Sequence, residues 1–230
     1  MAAEHAAMAA QPAEPAAGAL ELWLLRHGAT AWARSGRHTG STDLPLLPEG
    51  EAEARQLAPL LARQSFAAVL VSPLLRARRT CELAGLGDRA EPCEALREWN
   101  YGAYEGITTA EIRRSIPDWT VFSHGCPGGE DAAQVQRRCD ALLEELAQRA
   151  PAWLAERTLQ ASPGGSQHAV MRVALFAHGH ILRSLAGCWL GLGVQGGALL
   201  SLSTATVSVL GHERERATIV RWNAPMQPLA

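Results

Sequence analysis

Three short stretches of this chain are apolar almost without interruption: Leu20 to Leu25, FAAVLVS over 66–72 and VMRVALFAH over 170–178. A strand with one wet face alternates apolar and polar residues. A run that is apolar on both faces must be covered by a layer on each side, as in a parallel sheet flanked by helices. The segments between the runs supply such layers. Glu49 to Gln64 has helical pattern, with Pro59 as a kink. In SPLLRARRTCELAG, Ser72 suits an N-cap, Pro73 the first turn and Gly85 the C-terminal cap. Glu130 to Arg149 aligns Val135, Cys139, Leu142, Leu143 and Leu146 on one helical face, and a further helix runs from about Ile181 to Trp189. Two alternating segments near the end, ATVSVLG and ATIVRWN with GHERER between them, read as a hairpin. The fold class expected is α/β: a three-layer α/β/α sandwich with a mostly parallel central sheet. Residues 1–18 read as a disordered Ala/Pro-rich tail, 19–223 as one domain and 224–230 as a C-terminal tail. The segment 151–168 reads as a mobile surface insertion.

Composition narrows what such a sheet can carry. All 21 basic residues are arginine, so no P-loop lysine and no Schiff-base lysine is available. Cationic chemistry must rest on Arg and His. A net charge of −2 argues against nucleic acid or a polybasic membrane surface as partner. The five cysteines are scattered, odd in number and without a CxxC, so they read as reduced thiols of a cytoplasmic protein rather than a disulfide framework or zinc site. The N-terminal segment lacks the positive start of a signal peptide, and no run approaches the ~20 apolar residues of a membrane span.

In α/β sheets ligands bind beyond the carboxyl ends of the strands. The three apolar runs end on Arg26-His27, on Ser72 with Arg76 a turn later, and on His178-Gly179-His180. Imidazoles and guanidiniums gathered at one sheet edge make an anion site, since the planar guanidinium fork matches phosphate oxygens. A neutral imidazole can attack phosphorus, provided the charge on the transferring group is neutralised. The leaving oxygen then needs a proton, so a carboxyl should be held protonated nearby. LREWNYGAYEG, residues 96–106, offers Glu98 and Glu105, and the residues alone do not choose between them. His178 and His180 as a metal pair would want a third ligand; no HxHxDH pattern or carboxylate cluster accompanies them, and neither metal nor cofactor is expected.

RHGAT, SPLLRARRT, LREWNYGAYEG and FAHGHILR, in this order, resemble the signature segments of the histidine phosphatase superfamily, which has the phosphoglycerate-mutase-like fold. The resemblance runs from about Leu20 to Trp222. It implies that His27 is the phosphate-accepting nucleophile, that Arg26, Arg76 and His178 bind the phosphoryl group, and that Glu98 is the acid. Thr39 and Gly40 match a loop lying over the substrate. RHTGSTDLPL, LREWNYGAYEG and AHGHILR look like the branch that holds acid phosphatases and a fungal sedoheptulose-1,7-bisphosphatase. There His180 and Arg183 would take a second phosphate or a sugar hydroxyl, although packing and a surface ion pair explain them equally well. The resemblance implies that Ala29 and Ala33 stand where relatives carry a polar residue, with Thr30 or Ser35 as a partial substitute donor. The substrate-facing set expected is Thr30, Thr39, Gly40, Tyr101, Gly179, His180 and Arg183. His38, His124, Trp119 and Cys126 border the mouth.

The resemblance implies hydrolysis of small phosphomonoesters, sugar phosphates or bisphosphates among them, by a monomer or homodimer. Phosphoglycerate mutases of the family carry a longer, lysine-rich segment between the acid and the second histidine, which this chain lacks. A non-catalytic phospho-ligand-binding protein would have lost the nucleophile or the acid, and both are present.

Overall fold

The computed structural model describes residues 20–160 and 170–225. Six strands form one sheet: β1 (Leu20–Arg26), β2 (Phe66–Val71), β3 (Ala90–Pro92), β4 (Met171–Ala177), β5 (Val207–Glu213) and β6 (Arg216–Ala224). Their order is β3-β2-β4-β1-β5-β6, parallel from β3 to β1 and antiparallel from β1 through β5 to β6. The three apolar runs are therefore the three central neighbours β2, β4 and β1. Alternate residues of each feed opposite cores. Leu22 and Leu24 of β1 join Val173 and Leu175 of β4 on one face, whereas Trp23 and Leu25 join Ala174 and Phe176 on the other.

The second face is covered by α2 (Pro48–Leu61) and α3 (Leu75–Leu83), the first by α6 (Ala132–Gln160) and α7 (Gly179–Trp189). This is the expected α/β/α sandwich. Short helices α1 (Ala31–Ser35), α4 (Thr109–Ile112) and α5 (Val121–His124) punctuate the loops above the sheet. Among the described residues no helix is long and apolar enough to cross a membrane.

Several boundaries depart from the sequence reading for definable reasons. Helix α3 begins at Leu75, not beside Ser72. The carboxylate of Asp43 reaches over from the long loop and accepts from Leu75 N at 2.7 Å, so the cap comes from 32 residues away. Gly85 does follow the helix, at φ +80°. Helix α6 passes through Pro151 and runs to Gln160, because Trp153 and Leu154 pack against the core. Residues 151–160, read as an insertion, are thus helix, and 161–168 lie outside the described residues, as does the N-terminal tail over 1–18. The expected hairpin is present, and β5 and β6 continue through GHERER to a two-residue turn, with Glu213 opposite Arg216 and Arg214 at φ +55°.

Candidate active site

The carboxyl ends of β1, β2 and β4 lie side by side, and the register that pairs Arg26 with Ala177 and Val71 with Phe176 brings His27, Ser72 and His178 together. The chain after β1 turns sharply on Gly28. A Cβ there would stand 2.2 Å from the Gly50 carbonyl oxygen, and Gly50 is bare for the same reason against Ala29. Gly28 N donates to Thr80 Oγ1 (3.0 Å), whose hydroxyl donates to the Arg76 carbonyl (2.7 Å). The turn after the histidine is thereby held between α2 and α3.

His27 is buried, and its Nδ1 lies 2.7 Å from the Gly28 carbonyl. A carbonyl only accepts, so Nδ1 carries the proton and Nε2 keeps its lone pair. Burial first, and then the charges of Arg26 and Arg76, push the His27 pKa well below the usual imidazole value, against the opposing pull of the Gly28 bond. The ring is neutral near neutral pH. The His178 ring stands beside it, centroid to centroid 5.2 Å. Arg76 Nε donates to His178 Nδ1 (3.0 Å), which leaves the proton on Nε2 facing Ser72 Oγ at 2.7 Å. Burial and the neighbouring Arg76, His27 and Arg26 charges lower the His178 pKa strongly as well.

Arg76 is fully buried, an uncommon state for a guanidinium. Besides His178 it bonds the carbonyls of Thr42 (Nη1, 3.1 Å), Thr39 and Gly40 (Nη2, 2.9 and 3.0 Å), so one Nη1 hydrogen is left over. Glu105 holds the same loop from its other side, accepting from the backbone N–H groups of Gly40, Ser41 and Thr42. Gly40 is tight here, since a Cβ would come 2.6 Å from the Trp99 carbonyl oxygen. Arg26 donates through Nη1 to the Leu202 carbonyl. Its Nε is buried and has no partner among the described residues. The guanidinium lies over Gly179, where a Cβ would stand 3.4 Å from its Cζ.

A cleft of about 220 Å³ opens above His27, lined by Arg26, Thr39, Glu98, Tyr101, Gly179, His180 and Arg183. Glu98, not Glu105, lies in it. Its Oε1 accepts from the N–H groups of Trp99 and Ile181 (both 2.9 Å) and its Oε2 from that of His180 (3.0 Å), which seats the carboxyl at the N-terminus of α7. Tyr101 keeps its proton, because burial and then Glu98 raise its pKa far above the ordinary phenol value, and its hydroxyl shares a 2.6 Å hydrogen bond with His180 Nδ1 in which either group can be the donor. Burial, Arg183, His38 and Arg26 hold the His180 pKa far down.

A second chamber of about 240 Å³ shares His38, Thr109, His180 and Arg183 with the first and adds Arg113, Trp119 and Phe122. The Arg183 guanidinium lies over the Phe122 ring (4.9 Å to the centroid) and its Nε donates to the Gly197 carbonyl at 2.9 Å. No carboxylate lines this chamber.

Of the expected substrate-facing set, Thr39, Tyr101, Gly179, His180 and Arg183 line the cleft, and Gly40 lies just behind it. Thr30 is the N-cap of α1, its Oγ1 accepting from Ala33 N at 3.1 Å. Ala33 lines the wall of the cleft. His38 and Trp119 line the chambers, but His124 and Cys126 do not. Ser72, Thr80 and Asp43 were not foreseen in these roles. Strand order is the signal that would have placed Ser72 against His178, and single-chain pattern does not supply it. Among the described residues no group of three His, Cys, Asp or Glu side chains is placed to hold a metal ion.

A neutral imidazole in one cleft with guanidiniums and a carboxyl is an arrangement able to accept and pass on a phosphoryl group. The chain belongs to the histidine phosphatase superfamily (branch 1), whose family model matches residues 22–225. It is 37% identical over 215 residues to an acid phosphatase of Mycobacterium tuberculosis, covering 91% of this chain and 96% of the relative. It is 34% identical over 195 residues to the sedoheptulose 1,7-bisphosphatase of Saccharomyces cerevisiae, covering 75% and 68%. The solved structure of mycobacterial glucosyl-3-phosphoglycerate phosphatase superposes with a TM-score of 0.71 at 28% identity, over 89% of this chain and 98% of that one. The fold and the phosphatase class expected from the sequence are those of these relatives.

Proposed function

We propose that the chain hydrolyses small phosphomonoesters in two steps through a phosphohistidine. His27 Nε2 attacks phosphorus in line; the P–O bond to the leaving group breaks as Glu98 gives that oxygen its proton. Glu98, now a carboxylate, takes a proton from water, the water oxygen attacks phosphorus, and the P–N bond breaks to release phosphate and free His27. Arg26 and the remaining Arg76 N–H neutralise the equatorial oxygens, and His178 joins them by turning its Nε2 proton from Ser72 Oγ to the phosphoryl group. The observation that carries this reading is the pairing of a tautomerically fixed His27 with the unpartnered, buried Nε of Arg26. A buried cationic donor without an acceptor among the described residues is a group that an anion could satisfy.

The substrates are sugar phosphates or bisphosphates, with the leaving group reaching into the second chamber. Its support is the carboxylate-free lining with Arg183, Arg113 and the His180 ring, together with the substrates named for the yeast and mycobacterial relatives. Residues 19–223 act as one catalytic domain, as monomer or homodimer, and the free thiols favour a cytoplasmic setting. Acid-quenched enzyme should carry an acid-labile radiolabelled phosphoryl group after mixing with labelled substrate, and His27→Ala should carry none. Label persisting in His27→Ala overturns the assignment.

A further inference from the structure

Glu98 sits on a loop, and an acid that must meet a leaving oxygen cannot tolerate a wandering loop: misplacement by about 1 Å costs up to about 10²-fold in rate. Its bonds to α7 fix one side of the carboxyl. The other side of the same segment is gripped from α6 by a single ion pair. Arg138 and Glu130 face each other in a bidentate fork (Nε to Oε1 3.1 Å, Nη2 to Oε2 2.8 Å), with side chains only 18% and 22% exposed. Arg138 Nη1 donates to the carbonyls of Ala95 (3.0 Å) and Arg97 (2.6 Å), the latter immediately before Glu98. Glu130 Oε2 accepts from Asn100 N at 2.8 Å, and the Glu130 backbone accepts from Trp99 Nε1 and donates to the Asn100 carbonyl, both at 2.9 Å. The pair thus holds residues 95, 97, 99 and 100, bracketing Glu98 on both sides.

The two loops involved pass each other at backbone contact. A Cβ on Gly129 would stand 2.2 Å from the Asn100 carbonyl oxygen, and one on Gly102 2.2 Å from that of Pro127. Glu130 therefore has no slack in where it meets Asn100. A lysine could replace the charge of Arg138 but not its planar fork, which serves two carboxylate oxygens and two carbonyls at once.

We propose that the Arg138–Glu130 pair is a positioning device for the acid, holding Glu98 in line with the leaving oxygen without touching substrate. The proposal rests on the reading of Glu98 as that acid. Its test is the dependence of kcat/KM on leaving-group basicity, because a misplaced acid matters most where the leaving oxygen most needs a proton. Wild type, Glu98→Gln, Arg138→Gln and Arg138→Lys are assayed on a series from p-nitrophenyl phosphate to alkyl phosphates. Both Arg138 variants should lose about tenfold or more in kcat/KM on alkyl phosphates but only about threefold or less on p-nitrophenyl phosphate. In a Glu98→Gln background, Arg138→Lys should add no further steepening.

If Arg138→Gln fails to fold, Arg138→Lys carries the test, and Glu130→Gln repeats it from the other partner. Uniform losses across the series, or a lowered melting temperature with an unchanged slope, would reduce the pair to a structural strut and overturn the proposal. If Glu98→Gln itself shows no steepening, it is the reading of Glu98 that fails. If Glu98→Gln steepens and both Arg138 variants run parallel to wild type, only the positioning role is lost.

Discussion

The two chambers of the cleft are built on opposite principles. The inner one is assembled from strand ends: His27, Arg26 and His178 are fixed by the register of β1 and β4, and almost every polar atom in it is committed to a protein partner. The outer one adds loops and short helices to His180 and Arg183 of α7. Its walls are Trp119, Phe122 of α5 and the exposed Arg113, and its guanidiniums are held by one carbonyl each. Rigid elements aim the groups that must meet phosphorus, while adaptable ones meet the variable remainder of the substrate. Substitutions in the inner chamber should therefore cost turnover and stability together. Those in the outer chamber should cost only substrate choice.

Arg76→Ala is the hardest blow to that contrast. It removes a buried cation and orphans His178 Nδ1 and the carbonyls of Thr39, Gly40 and Thr42. Turnover should drop by about 10³-fold or more, and urea unfolding should report a loss of roughly 2–4 kcal/mol. A stable, inactive variant would mean that Arg76 does not organise the loop. Next comes proton linkage. His27, His178 and His180 are held neutral in the folded chain, so their folded pKa values lie below the unfolded value of about 6.5. The unfolded state binds more protons below that value. Stability is then complete above about pH 6.5 and falls as pH drops, by up to about 1.4 kcal/mol per pH unit for each histidine. Urea midpoints that stay level from about pH 7.5 to about pH 5.5 would contradict the burial assigned to these rings.

The inner chamber was far more legible in the sequence than the outer, for the same reason that it is more rigid. Uninterrupted apolar runs announce central strands, and the residues that end them can only lie at the sheet edge, so Arg26, His27 and His178 could be placed before any coordinates. Loops carry no such periodicity. Ser72 read as a helix cap because capping is a local rule, and its hydroxyl does accept from Leu74 N at 3.4 Å, but its shorter bond, 2.7 Å, is to His178, 106 positions away. Asp43, which does cap α3, sits amid a Gly- and Pro-rich loop with nothing in its neighbourhood to betray the reach. Helix α6 outran its expected end because the apolar contacts of Trp153 and Leu154 outweigh the bond that Pro151 forfeits, and propensity alone sees only the proline.

Smaller effects probe the outer chamber. Arg183→Ala should raise KM by about tenfold to 10²-fold for a substrate with a second phosphate, with little change on p-nitrophenyl phosphate. Arg113→Gln should do the same by only a fewfold. Its guanidinium stands exposed at the rim with Nε tied to the Trp119 carbonyl at 2.9 Å, so water and salt screen what it adds. The ranking has its own check, since an ionic-strength series should erase the Arg113 effect well before the Arg183 effect, whose guanidinium is sheltered against Phe122. If both fade together, the two arginines share one solvent-exposed surface, and the outer chamber is a shallow funnel for anions rather than a seat for the second group.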